Sequence, residues 1–397
     1  MIKHNHKLFV LILLLLATSL ACNFSDLITP TPKAPPTEEV LSQATSTETE
    51  DVLPTDTPEP TVEPTPEPPN RGQIAYIKNG NVWRYIVETG EDIQVTTDGI
   101  ADDFESEYHR PMLSSDGQNL SYEKSGIYTI LNLVDNSVID LSPYERIIKW
   151  AANPDQFYVA SGDLVCPEIE NLEDQELINF DVLRYTLGSL DSPHLLANIS
   201  GGLYFPQTIS NDEQYLNTLS CACYSECGEH ILWHLPSNTI RPPDIDIYAG
   251  KIDYSPNSLR LAVSPQQIYG YTESPLYLAN SDFTGLTEIF HEPGVAAIEP
   301  LWSPTGEWIA FTAIIIGPDG FNPANSQVIL TNSDGSVTNI VDGSFALLID
   351  WSPDGTQLIY NQNATSTGEV YLYDLVTNNS TLLPALTGKD MDWGNLP

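Results

Sequence analysis

Trp351-Ser352-Pro353-Asp354-Gly355-Thr356-Gln357-Leu358-Ile359-Tyr360 reads as the end of one strand, a tight turn and the start of a second strand. Proline presets φ at about −65° in the second turn position, Asp or Asn suits the third, and Gly tolerates a positive φ at the exit. Leu358 and Ile359 then resume an apolar run. The same frame returns as Trp302-Ser303-Pro304-Thr305-Gly306-Glu307-Trp308-Ile309 and as Tyr254-Ser255-Pro256-Asn257-Ser258-Leu259-Arg260-Leu261. Weaker copies begin at Leu113, Trp150 and Ile209. Successive copies lie 37, 59, 45, 48 and 49 residues apart, where a repeat of four short strands needs roughly 40 to 50.

Around each turn the pattern is strand, turn, strand, loop, strand, hairpin, strand. In the last full unit the expected strands are 345–351, 357–361, 369–375 and 380–383, with Tyr371, Tyr373 and Leu375 alternating against Leu372 and Asp374. The two ends of the domain complement each other. Residues 73–77, 81–87 and 91–96 supply second, third and fourth strands with no turn motif before them. Asp390-Met391-Asp392-Trp393-Gly394 offers a lone first strand with nothing after it. Joining the two completes a unit shared by both ends, which closes a ring and removes its open sheet edges. The expectation is an all-β fold, a single β-propeller over residues 71–397 with seven four-stranded blades and a latch of N- and C-terminal strands. The spacing is compatible with six to eight blades.

The Trp-Ser-Pro-Asp-Gly-x-x-Ile/Leu-x-Tyr/Phe pattern resembles the TolB-type β-propeller repeat, which also occurs in the propeller domains of prolyl-oligopeptidase-like enzymes. The resemblance covers residues 71–397 and implies the fold. It implies no single activity, because that family uses the scaffold for protein contacts, substrate gating and sugar or metal sites alike. Two features of the relatives are missing from the pattern. Only a Pro-rich stretch stands where TolB has an α/β domain, and the Gly-x-Ser-x-Gly elbow of a hydrolase domain is absent.

Upstream, Lys3, His4, His6 and Lys7 precede an uncharged run from Leu8 to Ala21, too short to span a bilayer and shaped like a secretory signal. Thr18-Ser19-Leu20-Ala21-Cys22 resembles the permissive form of the bacterial lipoprotein lipobox, with Ser19 where Leu is usual. The resemblance implies a signal peptide over 1–21, cleavage before Cys22 and lipid on its thiol; an ordinary cleaved signal is the alternative. Residues 22–70 are rich in Pro, Thr, Ser and Glu, a composition with no core to bury, and are expected to be a disordered, semi-rigid tether. With 15 basic against 54 acidic residues, a formal charge of −39, the chain repels polyanions, so nucleic acid is excluded as a partner. The expected location is the bacterial cell envelope, outside the cytoplasm, anchored to the membrane by lipid.

In such a ring the first-to-second turns lie on one face, and the second-to-third and blade-to-blade loops on the other. The long irregular segments, 97–108, 161–179, 220–229, 264–274 and 314–325, all fall on that loop face, which is therefore the expected binding face for a protein or envelope polymer. Tyr108, Tyr224, Tyr269, Tyr271 and Phe321 are its candidates for stacking on sugar rings or filling a partner's pocket. Asp102, Asp103 and Glu105 crowd the first blade-to-blade loop and could offer oxygens to Ca²⁺, though in no EF-hand frame; no other cofactor is expected. Cys166, Cys221, Cys223 and Cys227 could form two disulfides or a four-thiolate zinc site. Export favours disulfides, with Cys166 bonded to one of the other three and the remaining two paired locally. Two functions stay open. One is a non-catalytic binding or scaffold module, and the other is an extracytoplasmic polysaccharide lyase or hydrolase whose acidic residues meet at the axial opening.

Overall fold

Consecutive residues of a strand point to opposite faces, and several second strands of this chain, Gln357–Gln362 and Gln73–Lys78 among them, are apolar on both. The reason is visible in the computed structural model, which describes residues 71–397 apart from 104, 163–177, 203, 222–226, 242–250, 266–272, 318–319, 337, 343–344 and 363–367. Its strands form seven antiparallel sheets of four. Blade 1 is composite: Lys389–Gly394 pairs with Gln73–Lys78, which continues to Asn81–Ile86 and Glu91–Gln94. Blades 2 to 7 follow in chain order, with innermost strands Tyr108–Leu113, Glu145–Trp150, Tyr204–Ile209, Lys251–Tyr254, Val295–Trp302 and Ala346–Trp351.

Each blade-to-blade interface has its own apolar core. Ile359 packs toward blade 1 with Ile74, Tyr76 and Trp393, whereas its neighbours Leu358 and Tyr360 pack toward blade 6 with Ala310, Val328 and Leu330. In the same way Ala75 and Ile77 face blade 2 while Ile74 and Tyr76 face blade 7. Blade 1 is thus packed on both sides, and the ring is closed. All four of these blade 1 side chains are at most 1% exposed, so the closing blade is covered on both faces of this strand.

The latch strand is held by more than ladder bonds. The Trp393 ring N–H donates to the Arg71 carbonyl at 2.8 Å, and the Gln73 amide donates to the carbonyls of Asn395 and Gly117 at 2.8 and 2.9 Å. The expected shared blade is therefore the observed one.

The Ser-Pro-Asp-Gly turns owe their shape to a residue whose part the turn rules do not specify. Ser352 is buried, and its hydroxyl accepts the Gln357 N–H at 2.9 Å while donating to Asp354 at 2.7 Å. Ser114, Ser210, Ser255 and Ser303 accept the corresponding N–H of Asn119, Tyr215, Arg260 and Trp308 in their own blades. Gly117, Gly306 and Gly355 exit with φ between 70° and 74°. Blades 4 and 5 hold the same conformation with Glu213 and Ser258, which costs such residues roughly 1 kcal/mol each.

One expected loop is not a loop. Over 314–325 the second and third strands of blade 6 run on as a hairpin, Trp308–Gly317 and Gly320–Asn332, with Ile316 opposite Phe321 and a register shift between Ile314 and Ile316. The run Ile314-Ile315-Ile316 on one strand and Phe321 on the other, residue types that favour strands, extends the pairing beyond the length of the other blades. Among the described residues no helix is long and apolar enough to cross a membrane.

Candidate functional site

The innermost strands meet around the axis, and in six of the seven blades the register slips just before the turn motif. The shifts fall between His109 and Met112, Ile147 and Lys149, Pro206 and Thr208, Ile298 and Leu301, Leu348 and Asp350, and, across the latch, Ala75 and Ile77. A bulge takes backbone N–H groups off the ladder. At the hub the orphaned donors are met by carboxylates from the preceding blade. Asp253 accepts the Trp302 N–H at 2.7 Å, Asp350 accepts the Trp393 N–H at 2.8 Å, and Asp392 accepts the Leu113 N–H at 2.7 Å. Each of these Asp residues stands directly before the aromatic residue of its own motif, where strand alternation turns it away from the blade core. Lys149 holds the same position in blade 3 and donates to Asn211 of the next turn at 2.7 Å.

Burial dominates the electrostatics of this cluster. It pushes Asp392 up to about 7, helped by the Asp350 charge and opposed by the Leu113 N–H. It pushes Asp350 up to about 6, against the N–H groups of Trp393 and Trp351 and the Lys251 charge, with Asp253 adding repulsion. Asp253 is raised for the same reason, although the Trp302 N–H, Lys251 and Lys149 oppose it. The Lys149 ammonium is pushed down to about 8 by burial, which Asp253 and Asp212 partly offset. These four side chains are half-buried.

The other end of the channel differs. Arg110, Glu299 and Asp390 each lie three residues before the motif residue of an innermost strand, nearer the loop face. All three are exposed and left-handed, with φ of 50°, 50° and 53°. Arg110 donates to the Tyr128 hydroxyl at 3.1 Å, and Lys389 pairs with Glu107 at 2.9 Å across the join between latch and blade 2. Each of the three sits within its strand's register slip, and the bulge accounts for its left-handed backbone. Chemically this mouth offers both signs of charge to a polar partner. The turn end of the channel offers carboxyls whose oxygens already accept backbone N–H groups, and no hydrogen bond joins one carboxyl to another among the described residues.

Of the residues singled out in the sequence, Tyr108 starts the innermost strand of blade 2 and is packed rather than presented. Its ring meets Tyr122 edge-on at 5.4 Å and lies under Lys124, and its hydroxyl donates to Asp98 at 2.8 Å. Asp102, Asp103 and Glu105 are exposed, and Asp103 accepts the Glu105 N–H; among the described residues no three His, Cys, Asp or Glu converge as a metal ion requires. Phe321 sits on the extended hairpin of blade 6. Cys221 and Cys227 are opposite each other in the ladder of blade 4. Tyr224, Tyr269, Tyr271, Cys166, Cys223 and the whole of 1–70, including the expected lipidation site Cys22, lie outside the described residues. The hub charges were missed, yet they carry a signal: a charged residue directly before the motif aromatic at Lys149, Asp253, Asp350 and Asp392.

No protein-family model and no curated protein matches the chain. Among solved structures it is similar to a prolyl endopeptidase, with 14% identity and a TM-score of 0.54 over 82% of this chain; it spans half of that protein's length. It is also similar to oligogalacturonate lyase from Vibrio parahaemolyticus, at 13% identity and a TM-score of 0.51, covering 79% of this chain and 86% of the lyase. A TolB from Acinetobacter baumannii aligns with 13% identity and a TM-score of 0.44, over 81% of this chain and 82% of TolB. At identities this low the likeness is one of fold.

Proposed function

We propose that the chain is a membrane-anchored, extracytoplasmic binding or scaffold module that engages a protein or envelope polymer through its loop face and catalyses no reaction. The observation that supports this most is the assignment of the hub carboxylates. Asp253, Asp350 and Asp392 each accept an N–H of a neighbouring blade, which is a structural duty, and they lie at the turn end of the channel. Arg110, Glu299 and Asp390, nearer the loop face than the hub carboxylates, are exposed, and their mixed charge suits recognition. Arg71, to which a tether over 22–70 with lipid at Cys22 would connect, accepts the Trp393 ring N–H. The test is capture from native envelope by the full chain. Changing Arg110, Glu299 and Asp390 together to Ser should abolish capture, while the turn-face control Val376→Ser should not. Equal capture by all three proteins would refute the assignment.

A second reading, an extracytoplasmic polysaccharide lyase or hydrolase, is favoured by one observation. Burial pushes the Asp350 and Asp392 carboxyls up to about 6 and about 7, toward the range in which a general acid or base works at neutral pH. Cleavage of an envelope polysaccharide that disappears in a folded Asp392→Asn protein would replace the first reading with this one.

A further inference from the structure

On the turn face, between blades 5 and 6, lies a groove of about 210 Å³ lined by Ser255, Asn257, Arg260, Trp302, Thr305 and Ser333, with Pro256 and Gly306. Its lining holds one cation and no carboxylate, in a chain whose acidic residues outnumber basic ones 54 to 15. The next groove, between blades 6 and 7, shares Thr305 but is lined by Glu307 and Asp354, so freedom from acid is a property of this groove and not of the face.

Its lining carries hydrogen-bond donors, although the Ser255 hydroxyl already donates to Asn257 and the Thr305 hydroxyl already bonds to Ser303 and the Glu307 N–H. The exposed Arg260 guanidinium forms none of the ion pairs among the described residues, which it shares with most of the described lysines and arginines; only Lys78, Lys124, Arg184 and Lys389 of these meet a carboxylate. Trp302 is 7% exposed, and its ring N–H has no partner. The equivalent N–H of Trp351 donates to the Leu301 carbonyl at 3.2 Å and that of Trp150 to the Met112 carbonyl at 3.2 Å. The Trp302 N–H is itself buried, so it belongs to the wall of the groove and is not a contact open to an occupant. The Asn257 carbonyl oxygen already accepts from the Ser255 hydroxyl and the Leu259 N–H, which leaves its amide nitrogen as a donor.

We propose that this groove binds a single carboxylate carried on a small hydroxyl-rich molecule, a sugar acid. Arg260 takes the carboxylate as a charge-assisted pair, and the Asn257 amide and the Thr305 and Ser333 hydroxyls suit the ring hydroxyls. The volume falls below that of a drug-sized pocket and fits one ring. The overall charge of −39 opposes a densely charged polyanion and leaves a monoanion as the acceptable charge. The site is on the opposite face from the mouth and is independent of the loop-face reading.

The test is calorimetric titration of the full-length chain with glucuronate, glucose and acetate at low ionic strength and neutral pH. Glucuronate should bind in the millimolar range, more tightly than acetate, and glucose should not bind measurably. Losing the charge-assisted pair in Arg260→Gln should weaken glucuronate about tenfold or more. Ser333→Asp, which places a carboxylate in the groove at an exposed hairpin, should abolish binding, and Arg260→Lys should restore part of it relative to Arg260→Gln. Thermal melting confirms that each variant is folded. Absence of glucuronate binding at tens of millimolar, equal binding by Arg260→Gln, or equal affinity for glucuronate and glucose would each overturn the site. Acetate binding as tightly as glucuronate would overturn the sugar acid as its ligand.

Discussion

Replacing Asp392 by Asn removes a buried charge while leaving a carbonyl oxygen to accept the Leu113 N–H at the same place. A carboxyl raised by burial from its ordinary 3.8 to about 7 is penalised when ionised by about 4 kcal/mol, at about 1.4 kcal/mol per pH unit. Part of that belongs to repulsion shared with Asp350, and channel water screens more of it, so about 2 kcal/mol is the working figure. The sign follows from proton binding. The folded state holds a proton on Asp392 between pH about 4 and about 7 that the unfolded state has lost, so this contribution is fully present below about 4 and is lost as pH rises through about 7. Lys149, depressed to about 8, acts in a different window: its contribution is present above its ordinary 10.5 and is lost as pH falls through about 8. Asp392→Asn should therefore melt higher than the parent at pH 8, by roughly 4 °C or somewhat less for a domain of this size, with the gap closing near pH 4. Asp392→Ala is the contrast, because it leaves the Leu113 N–H unmet and should destabilise by about 1 to 3 kcal/mol at every pH. Calorimetric melts of the three proteins across pH 4 to 8 decide the matter. If Asp392→Asn melted lower than the parent at pH 8, or if its advantage were as large at pH 4, the buried-charge argument would be wrong.

Removing residues 389–397 takes the innermost strand from blade 1 together with Trp393 and the Asp350 and Asp392 contacts, so heating should show an early, less cooperative transition; an unchanged melt would mean that the ring does not depend on its latch. Ser352→Ala should cost about 1 to 3 kcal/mol by stranding the buried Gln357 N–H, read from the denaturant midpoint, whereas Ser142→Ala, at an exposed blade-to-blade loop, should leave it in place. Cys221 and Cys227 face each other across a ladder, the separation at which a disulfide closes, so peptide mapping without reduction should recover that pair; a Cys166–Cys221 peptide instead would contradict it.

The repeat, its strands and the latch were legible in the chain because each rests on short-range rules. A turn such as Ser352 to Gly355 is specified by the φ preferences of four neighbours, and apolar runs on both sides of a second strand announce that two sheets will cover it. The missing first strand at one end and the spare one at the other, Trp393 included, followed from the same count. What the motif serine does was not legible, since its bond to the N–H five positions on exists only once the turn is closed. The hub was decided by tertiary structure alone. Asp253 meets Trp302 across 49 residues, Asp350 meets Trp393 across 43, and Asp392 meets Leu113 across 279, and no local pattern encodes such distances. Closing the ring brings those carboxyls into one narrow channel, and there burial and mutual repulsion give ordinary aspartates near-neutral titration.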